Sequence, residues 1–555
     1  MKTTSVLSVL VVLALGLSCQ PSPQGPYDIL IHNGKIVDGT GNPWYEGDIA
    51  IYGEKILAIG KLDAKIAKRT IDAAGKVVTP GFVDMLGQSE YSILIDNRAM
   101  SKITQGITTE INGEGESAAP VNEKILNEMK SYLQKNKLTV DWKDFKDYFA
   151  RVERHKSAIN LASYIGATQV RAYVIGYDNR EPTPEELDKM KLLVREAMQQ
   201  GALGLSSSLE YTPAMYAKTQ ELIELAKVAA EFGGIYVTHL RDEEDRIVEA
   251  ILEAADIARA AKIPVEIWHL KVAEKPNWGK MPQIVQLIQQ HRNQGIDMTA
   301  DQYPYIAFSN SLSSPIPGWA HEGGTEKLLQ RLKDPDVRKR IRNELAATNR
   351  NKGVDFNGIM ISSVTNPDLK QWEGKRLTEV AAAWKKDPYN TMFDFILADS
   401  ARTARVAFAM TEEDLKMGMA QHWVSFCTDA NARATDGPLY EGKPHPRAYG
   451  SFPRILAKYV RQDKLLSLED AVRKMTSLPA QRVGLKERGI LKPGFYADVV
   501  IFDPASVTDK ATFENPHQYS EGVSLVLVNG TPVWEDGKFT GNLPGKILRG
   551  PGYKH

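Results

Sequence analysis

Residues 233–271 read GGIYVTHLRDEEDRIVEAILEAADIARAAKIPVEIWHLK, and this stretch decides the fold. An apolar run from Ile235 to Thr238 ends in His239. Behind it, a charged, alanine-rich segment carries Ile247, Ile251, Ala255 and Ala258 on the spacing of one helix face. Pro264 then opens a second strand, 265–268, which ends in His269. The stretch is one βα unit with a histidine at the carboxyl end of each of two successive strands. In a parallel α/β barrel that end of the strands forms the active-site mouth. Neighbouring strands lie about 4.8 Å apart, so both imidazoles can reach one ion. A lone strand-end histidine is more often simply polar; two at equivalent ends favour a metal site.

The same period repeats outward. Strand-like runs at 107–112, 159–165, 202–206, 297–301 and 423–428 alternate with helical runs such as 185–200, 219–232 and 282–294. Repeated units of this size predict an α/β fold, a (β/α)8 TIM-type barrel over 81–485. A doubly wound open sheet would need a nucleotide fingerprint between strand and helix, and Gly113-Glu114-Gly115-Glu116 is too short and of the wrong charge to cradle phosphate. Residues from about 309 to 400 are too many for one loop. With helical runs at 326–346 and 377–384, they read as an insertion at the barrel mouth. A closing helical segment follows at 467–483, with Ser467 as its N-cap.

Before the barrel, 27–80 alternates short β-runs with glycine turns. Similar material returns in 486–555, as ADVVIFDP (497–504) and SLVLVNGTPVWEDGKF (524–539). The two chain ends are expected to pair into one small β-sandwich.

At the N-terminus, Lys2 precedes an apolar run, 6–17, that is too short to span a membrane and fits a signal peptide within 1–19. Gly16-Leu17-Ser18-Cys19 is similar to a bacterial lipobox, with Gly16 where Leu is usual, and 20–26 reads as a tether. The expectation is an exported bacterial protein, periplasmic or an outer-membrane lipoprotein, touching membrane only through that anchor. Lys+Arg and Asp+Glu are equal at 69 each, so no global field steers the chain to nucleic acid. Of the two cysteines one is Cys19 in the leader, which excludes a disulfide framework.

Ten stretches carry a family resemblance: TPGFVD (79–84), QGITTE (105–110), NLASYIG (160–166), GALGLSSSLEY (201–211), YVTHLRDE (236–243), HLKVAEKPNWGKM (269–281), DQYPY (301–305), HPRAYGSFPR (445–454), KMTSLPAQRVGL (474–485) and GILKPGFYADVVIFDP (489–504). In order and number they resemble the D-aminoacylase (N-acyl-D-amino-acid deacylase) family of the amidohydrolase superfamily, over about 27–539. The resemblance implies a barrel with a β-sandwich, zinc, and hydrolysis of the amide bond of a small N-acyl amino acid.

The chain departs from that family twice. The usual His-x-His after the first barrel strand falls on Leu86 and Gln88, and neither replaces an imidazole at zinc. The usual cysteine after the second strand falls on Glu114 when Ala119-Pro120 is the anchor, with Glu116 in reserve. Glu114, His239 and His269 are therefore expected to hold one Zn2+ that polarises the amide carbonyl and activates water. Asp429, in WVSFCTDA (423–430), is expected to move the proton; taken alone it would read equally well as a helix N-cap. The resemblance assigns Lys271 to the substrate carboxylate and Tyr211, Tyr303 and Ser309 to the pocket, with Tyr303 facing the developing oxyanion. Asp301 reads as structural and Cys427 as core.

Two other readings remain open from sequence. One is a different amidohydrolase activity on the same site, a dipeptidase or cyclic amidase. No Lys stands at 206–210, where binuclear relatives carry a carboxylated bridge, which weakens the cyclic-amide reading. The other is a lipid-anchored binding protein that has lost catalysis, for which Leu86 and Gln88 are the best support.

Overall fold

The computed structural model describes residues 26–348 and 353–554. The signal peptide, the lipobox and all of the tether except Pro26 lie outside the described residues. The chain begins with β1 (Tyr27–Ile36), β2 (Tyr45–Tyr52), β3 (Lys55–Gly60), β4 (Ala67–Asp72) and β5 (Val77–Pro80). Ile29, Ile31, Ile49 and Ile51 are buried in one cluster and Leu30 and Ala50 in another, so side chains that alternate along the strands cover both faces of the sheet here.

Eight parallel barrel positions follow. They are β6 (Phe82–Asp84), β7 (Ile107–Asn112), β8 (Asn160–Ser163) continued after Tyr164 by β9 (Ile165–Gly166), β10 (Gly204–Ser208), β11 (Ile235–His239), β12 (Val265–Ile267) and β13 (Met298–Gln302). The eighth arrives only after an excursion that contains β14 (Phe308–Ser311), β15 (Ile359–Ser363) and β16 (Ala404–Ala407); it is β17 (Val424–Phe426). The hydrogen-bonded order runs β6-β7-β8 and β9-β10-β11-β12-β13-β17. The Met85 N–H donating to Phe426 O and a parallel bridge between Gly87 and Ala430 bring the last strand back to the first. The expected (β/α)8 barrel is present. The expected strand at 202–206 is displaced to 204–208, because Gly201 ends the helix Pro184–Gln200 in the left-handed region and two further residues carry the chain to the sheet.

The excursion is a small α/β layer with its own core. β14, β16 and β15 form an antiparallel sheet in that order, covered by helices that bury Leu328, Leu332, Ile341, Phe393 and Phe395. The expected single helix over 326–346 is two, Thr325–Lys333 and Pro335–Ala346. Pro335 has no N–H and cannot continue a helix, while Asp334 accepts from Asp336 N–H and Val337 N–H to cap the next one. The helix Leu377–Trp384 lies where its pattern placed it. The 467–483 segment is two short helices, Leu468–Met475 and Ser477–Arg482, and Ser467 caps the first.

The chain then returns to the first sheet as β18 (Val499–Phe502), β19 (Val523–Val528), β20 (Thr531–Glu535) and β21 (Lys538–Phe539). β18 pairs antiparallel with β5, so nine strands from both chain ends share one ladder. The last residues cross the barrel floor. Leu161 N–H donates to Lys546 O, Leu548 N–H to Leu161 O and Gly550 N–H to Gly201 O.

One buried cation fastens the point where the barrel closes. Lys102 Nζ donates to Asp84 Oδ2 (2.8 Å), Thr428 Oγ1 (2.8 Å) and Ala430 O (2.7 Å), and lies 3.3 Å from Glu110 Oε2. Asp84 ends β6, Glu110 lies on β7, and Thr428 follows β17, so strands one, two and eight are tied together. Gly87 packs against this network: a Cβ there would meet Glu110 Oε1 at 2.1 Å. Because Glu110 is pinned by Lys102 and by Ser89 N–H, it cannot yield. Gly87→Ala is expected to destabilise the fold by about 1–3 kcal/mol through overpacking. A melting temperature equal to the parent's would contradict this.

Candidate active site

The mouth of the barrel gathers the residues that the sequence singled out. Glu114 lies in the tight turn after β7, His239 ends β11, and His269 stands just beyond β12 with φ +35. Left-handed backbone is costly for a side-chain-bearing residue and persists where the surroundings impose it. Here Asp301 Oδ1 accepts the His269 N–H at 2.7 Å, the structural task expected of Asp301. The three candidate ligand atoms converge. His239 Nδ1 and His269 Nε2 are 2.9 Å apart, and Glu114 Oε1 is 3.1 Å from each. Glu116 is exposed and stands outside this cluster.

Each imidazole is backed by a second carboxylate. Glu210 Oε2 lies 3.0 Å from His239 Nε2, and Glu243 Oε1 lies 3.1 Å from His269 Nδ1. Carboxylates behind metal-bound histidines fix the tautomer and raise ligand basicity. Burial opposes charge on His239, yet Glu243, Glu114 and Glu210 push its pKa up to about 10. Burial likewise opposes the charge of Glu114, but its bonds to both imidazoles hold it well below the usual carboxylate range. The carboxylates draw positive charge to the two imidazoles, and a cation held there would displace the His239 proton. Two imidazoles and a carboxylate with mutually adjacent ligand atoms are a donor set that fits zinc.

Asp429 faces this cluster across a cavity of roughly 260 Å³ that Gln88, Glu114, Glu210, Tyr211, His239, Glu243, His269, Lys271 and Ser309 also line. No helix follows Asp429, so the N-cap alternative fails; its φ is +47. Its Oδ1 accepts from Gln88 Nε2 at 2.8 Å, and its Oδ2 is 2.6 Å from Arg447 Nη1. Burial raises the Asp429 pKa and Glu114 adds to the rise, while Arg447 opposes it. Gln88 Nε2 also donates to Glu114 Oε2 at 2.7 Å.

Lys271 Nζ bonds Glu243 Oε1 and lies beside His269 Nδ1, each at 2.6 Å. When His269 Nε2 offers a lone pair to a metal, Nδ1 carries the ring proton, and Lys271 keeps Glu243 as its acceptor while facing the cavity. Tyr211 lines the wall with its ring 4.9 Å from that of His239. Ser309 donates to Arg405 O from β14.

Tyr303 is buried with Met85, Leu86, Trp268 and Cys427 immediately beside the site: its ring centroid is 6.4 Å from that of His269 and 4.6 Å from the Arg447 guanidinium, and its hydroxyl has no hydrogen-bond partner among the described residues. Cys427 is core, as expected.

The sequence reading missed Glu210, Glu243 and Arg447, although all three sit inside the quoted SSLEY, THLRDE and HPRAYG stretches. It also passed over Glu90. Burial, then Glu110 and Glu114, raise the Glu90 pKa to about 8, and its Oε1 accepts Gly113 N–H at the turn that presents Glu114. Between the ordinary value of 4.5 and about 8, the folded state keeps a proton that the unfolded state releases. Stability therefore falls as pH rises through that window. Glu90→Gln keeps the acceptor and removes the titration. Its melting temperature is expected to match the parent near pH 5 and exceed it increasingly towards pH 8. A constant offset between the two would refute the assignment.

Comparison with known proteins agrees with this geometry. A profile of the amidohydrolase family matches residues 429–534. The D-aminoacylase of Alcaligenes xylosoxydans xylosoxydans is 34% identical over 95% of this chain and 98% of its own. The crystal structure of N-acyl-D-glutamate deacylase from Bordetella bronchiseptica, complexed with zinc and a phosphonate mimic of the tetrahedral intermediate, superposes with TM-score 0.80 at 32% identity, covering 94% of this chain and all of that one. A D-aminoacylase structure described for one-metal activation and second-metal attenuation of its binuclear centre gives 0.79 at 33% identity, again over 94% of this chain and all of that one. With the barrel, the paired histidines and the facing aspartate in place, the chain belongs to the D-aminoacylase family of metal-dependent amidohydrolases, hydrolases of carbon–nitrogen amide bonds.

Proposed function

We propose that the chain hydrolyses N-acyl-D-amino acids to a carboxylic acid and a free D-amino acid, with one zinc ion per chain. The observation that carries this reading is the convergence of Glu114, His239 and His269 opposite Asp429 at the barrel mouth. The D-configuration is taken from the substrates named for the relatives. Glu114, His239 and His269 would hold the metal, which supplies Lewis acidity for the amide carbonyl and for water.

The chain's own residues do the rest. Asp429 accepts a proton from the attacking water and returns it to the departing nitrogen as the carbon–nitrogen bond breaks. Arg447, beside Asp429 Oδ2, favours the ionised carboxylate that the first of these steps needs. Lys271, at the cavity wall, is placed to meet the substrate carboxylate, and Tyr211 and Ser309 bound the space beside it. A cavity of this volume suits a small acyl amino acid rather than a long peptide.

The test is release of free amine from paired N-acetyl-D- and N-acetyl-L-amino acids by zinc-loaded protein. Turnover of the D series alone is expected; turnover of the L series alone, or of cyclic amides instead, would sink the reading.

We also propose export and lipidation at Cys19, supported by Lys2, the apolar run before Cys19 and the lipobox-like Gly16-Leu17-Ser18-Cys19. Incorporation of labelled fatty acid, lost in Cys19→Ala, checks it.

A further inference from the structure

We infer that the Gln88 side-chain amide stands where a second cation would otherwise link the two carboxylates of the site, and that it is a positioning residue for Asp429. An amide NH2 has two protons and no charge. Here one goes to Glu114 Oε2 at 2.7 Å and the other to Asp429 Oδ1 at 2.8 Å. The orientation is forced, because the amide oxygen turned towards two carboxylates would oppose an acceptor to acceptors. One neutral group thus spans the metal-ligand carboxylate and the base, two like charges that would otherwise repel. It leaves Asp429 one oxygen on Gln88 and the other beside Arg447, which fixes the plane of the carboxyl.

The backbone makes this placement rigid. Gly87 N–H donates to Ile111 O, and Asp429 N–H donates to Leu86 O. Gln88 and Asp429 therefore ride on adjoining strand ends linked by the Gly87–Ala430 bridge. Leu86, fully buried among Met85, Tyr164 and Trp268, offers no donor atom on the other side. The segment that could have held a second ion instead supplies a hydrogen-bonded strut and an apolar plug.

The inference uses the deacylase reading only in its kinetic arm. The first measurement is metal content after exposure to excess zinc and exhaustive buffer exchange. The parent is expected to retain one ion per chain and the L86H/Q88H double variant two. Two ions in the parent, or one in the double variant, would overturn the inference whatever the substrate. The second measurement is Gln88→Leu, with Gln88→Met as the closer isostere should the leucine variant fail to fold. Each is expected to keep one zinc and to lose about 10–100-fold in kcat with KM little changed, the range typical of losing a partner behind a metal site. A kcat within twofold of the parent would refute the positioning role. If the parent turns over no N-acyl amino acid, the deacylase reading fails and the metal counts still decide this one.

Discussion

Asp429→Asn is expected to lower kcat by about 10²–10⁴-fold, the range supplied by a positioned general acid–base group, while zinc content stays at the parent's level. The asparagine oxygen can still accept from Gln88, and Glu114, His239 and His269 are untouched. What disappears is a group able to carry a proton from water to the leaving nitrogen. The buried Arg447 also loses its carboxylate partner, and removing one member of a buried pair typically costs about 3–5 kcal/mol. The variant should therefore melt lower than the parent, and its activity must be read where it remains folded. If folded, zinc-loaded Asp429→Asn kept a tenth or more of the parent kcat, Asp429 would not be the proton carrier.

His269→Ala is expected to abolish tight metal binding and activity together. His269 Nε2 supplies one of three converging ligand atoms. Its ring also joins the cluster to Glu243 and, through that carboxylate, to Lys271. Alanine removes the ligand and leaves a buried, anionic Glu243 whose remaining near partners are Lys271 and His239. Loss of an outer partner alone, as in Glu243→Gln, should weaken metal affinity by about 10–100-fold. Loss of the ligand should exceed that range, and zinc should leave on dialysis. Competition with a fluorescent chelator distinguishes the two variants. A His269→Ala protein that holds zinc as tightly as Glu243→Gln would mean that the metal sits elsewhere.

Local periodicity made most of the barrel legible. The β11 run ends at His239 as its pattern requires, and the helix Ile247–Ala261 follows from its apolar spacing. β12, however, stops at Ile267, so His269 belongs to the turn beyond the strand, held there by Asp301 through a contact no periodicity reveals. Glu114 was found because a family position fell empty of its usual cysteine. Glu210 and Glu243 looked like ordinary polar residues after a strand; only the three-dimensional arrangement shows them behind His239 and His269. Lys102 was harder still. Its neighbours in sequence give no reason to bury a lysine, and its partners Asp84, Glu110, Thr428 and Ala430 come from three strands. Tyr303 stands between pocket and core: its ring packs in the core, yet it adjoins His269 and Arg447.

The ladder shared by the two chain ends has a consequence for biosynthesis. β5 is complete at Pro80, yet its neighbour β18 begins only at Val499, and the floor strip through Lys546 and Gly550 comes later still. A polypeptide emerging amino end first therefore holds an open sheet edge, at Val77–Pro80, for almost the whole of its translation. Closing so long a separation costs entropy that is recovered only once the ends meet. Until then the nascent chain presents an apolar strand with one unpaired edge, the kind of surface that holdase chaperones bind and that nucleates aggregation. Truncation ahead of β18 is therefore expected to raise the aggregated fraction above that of the full-length chain.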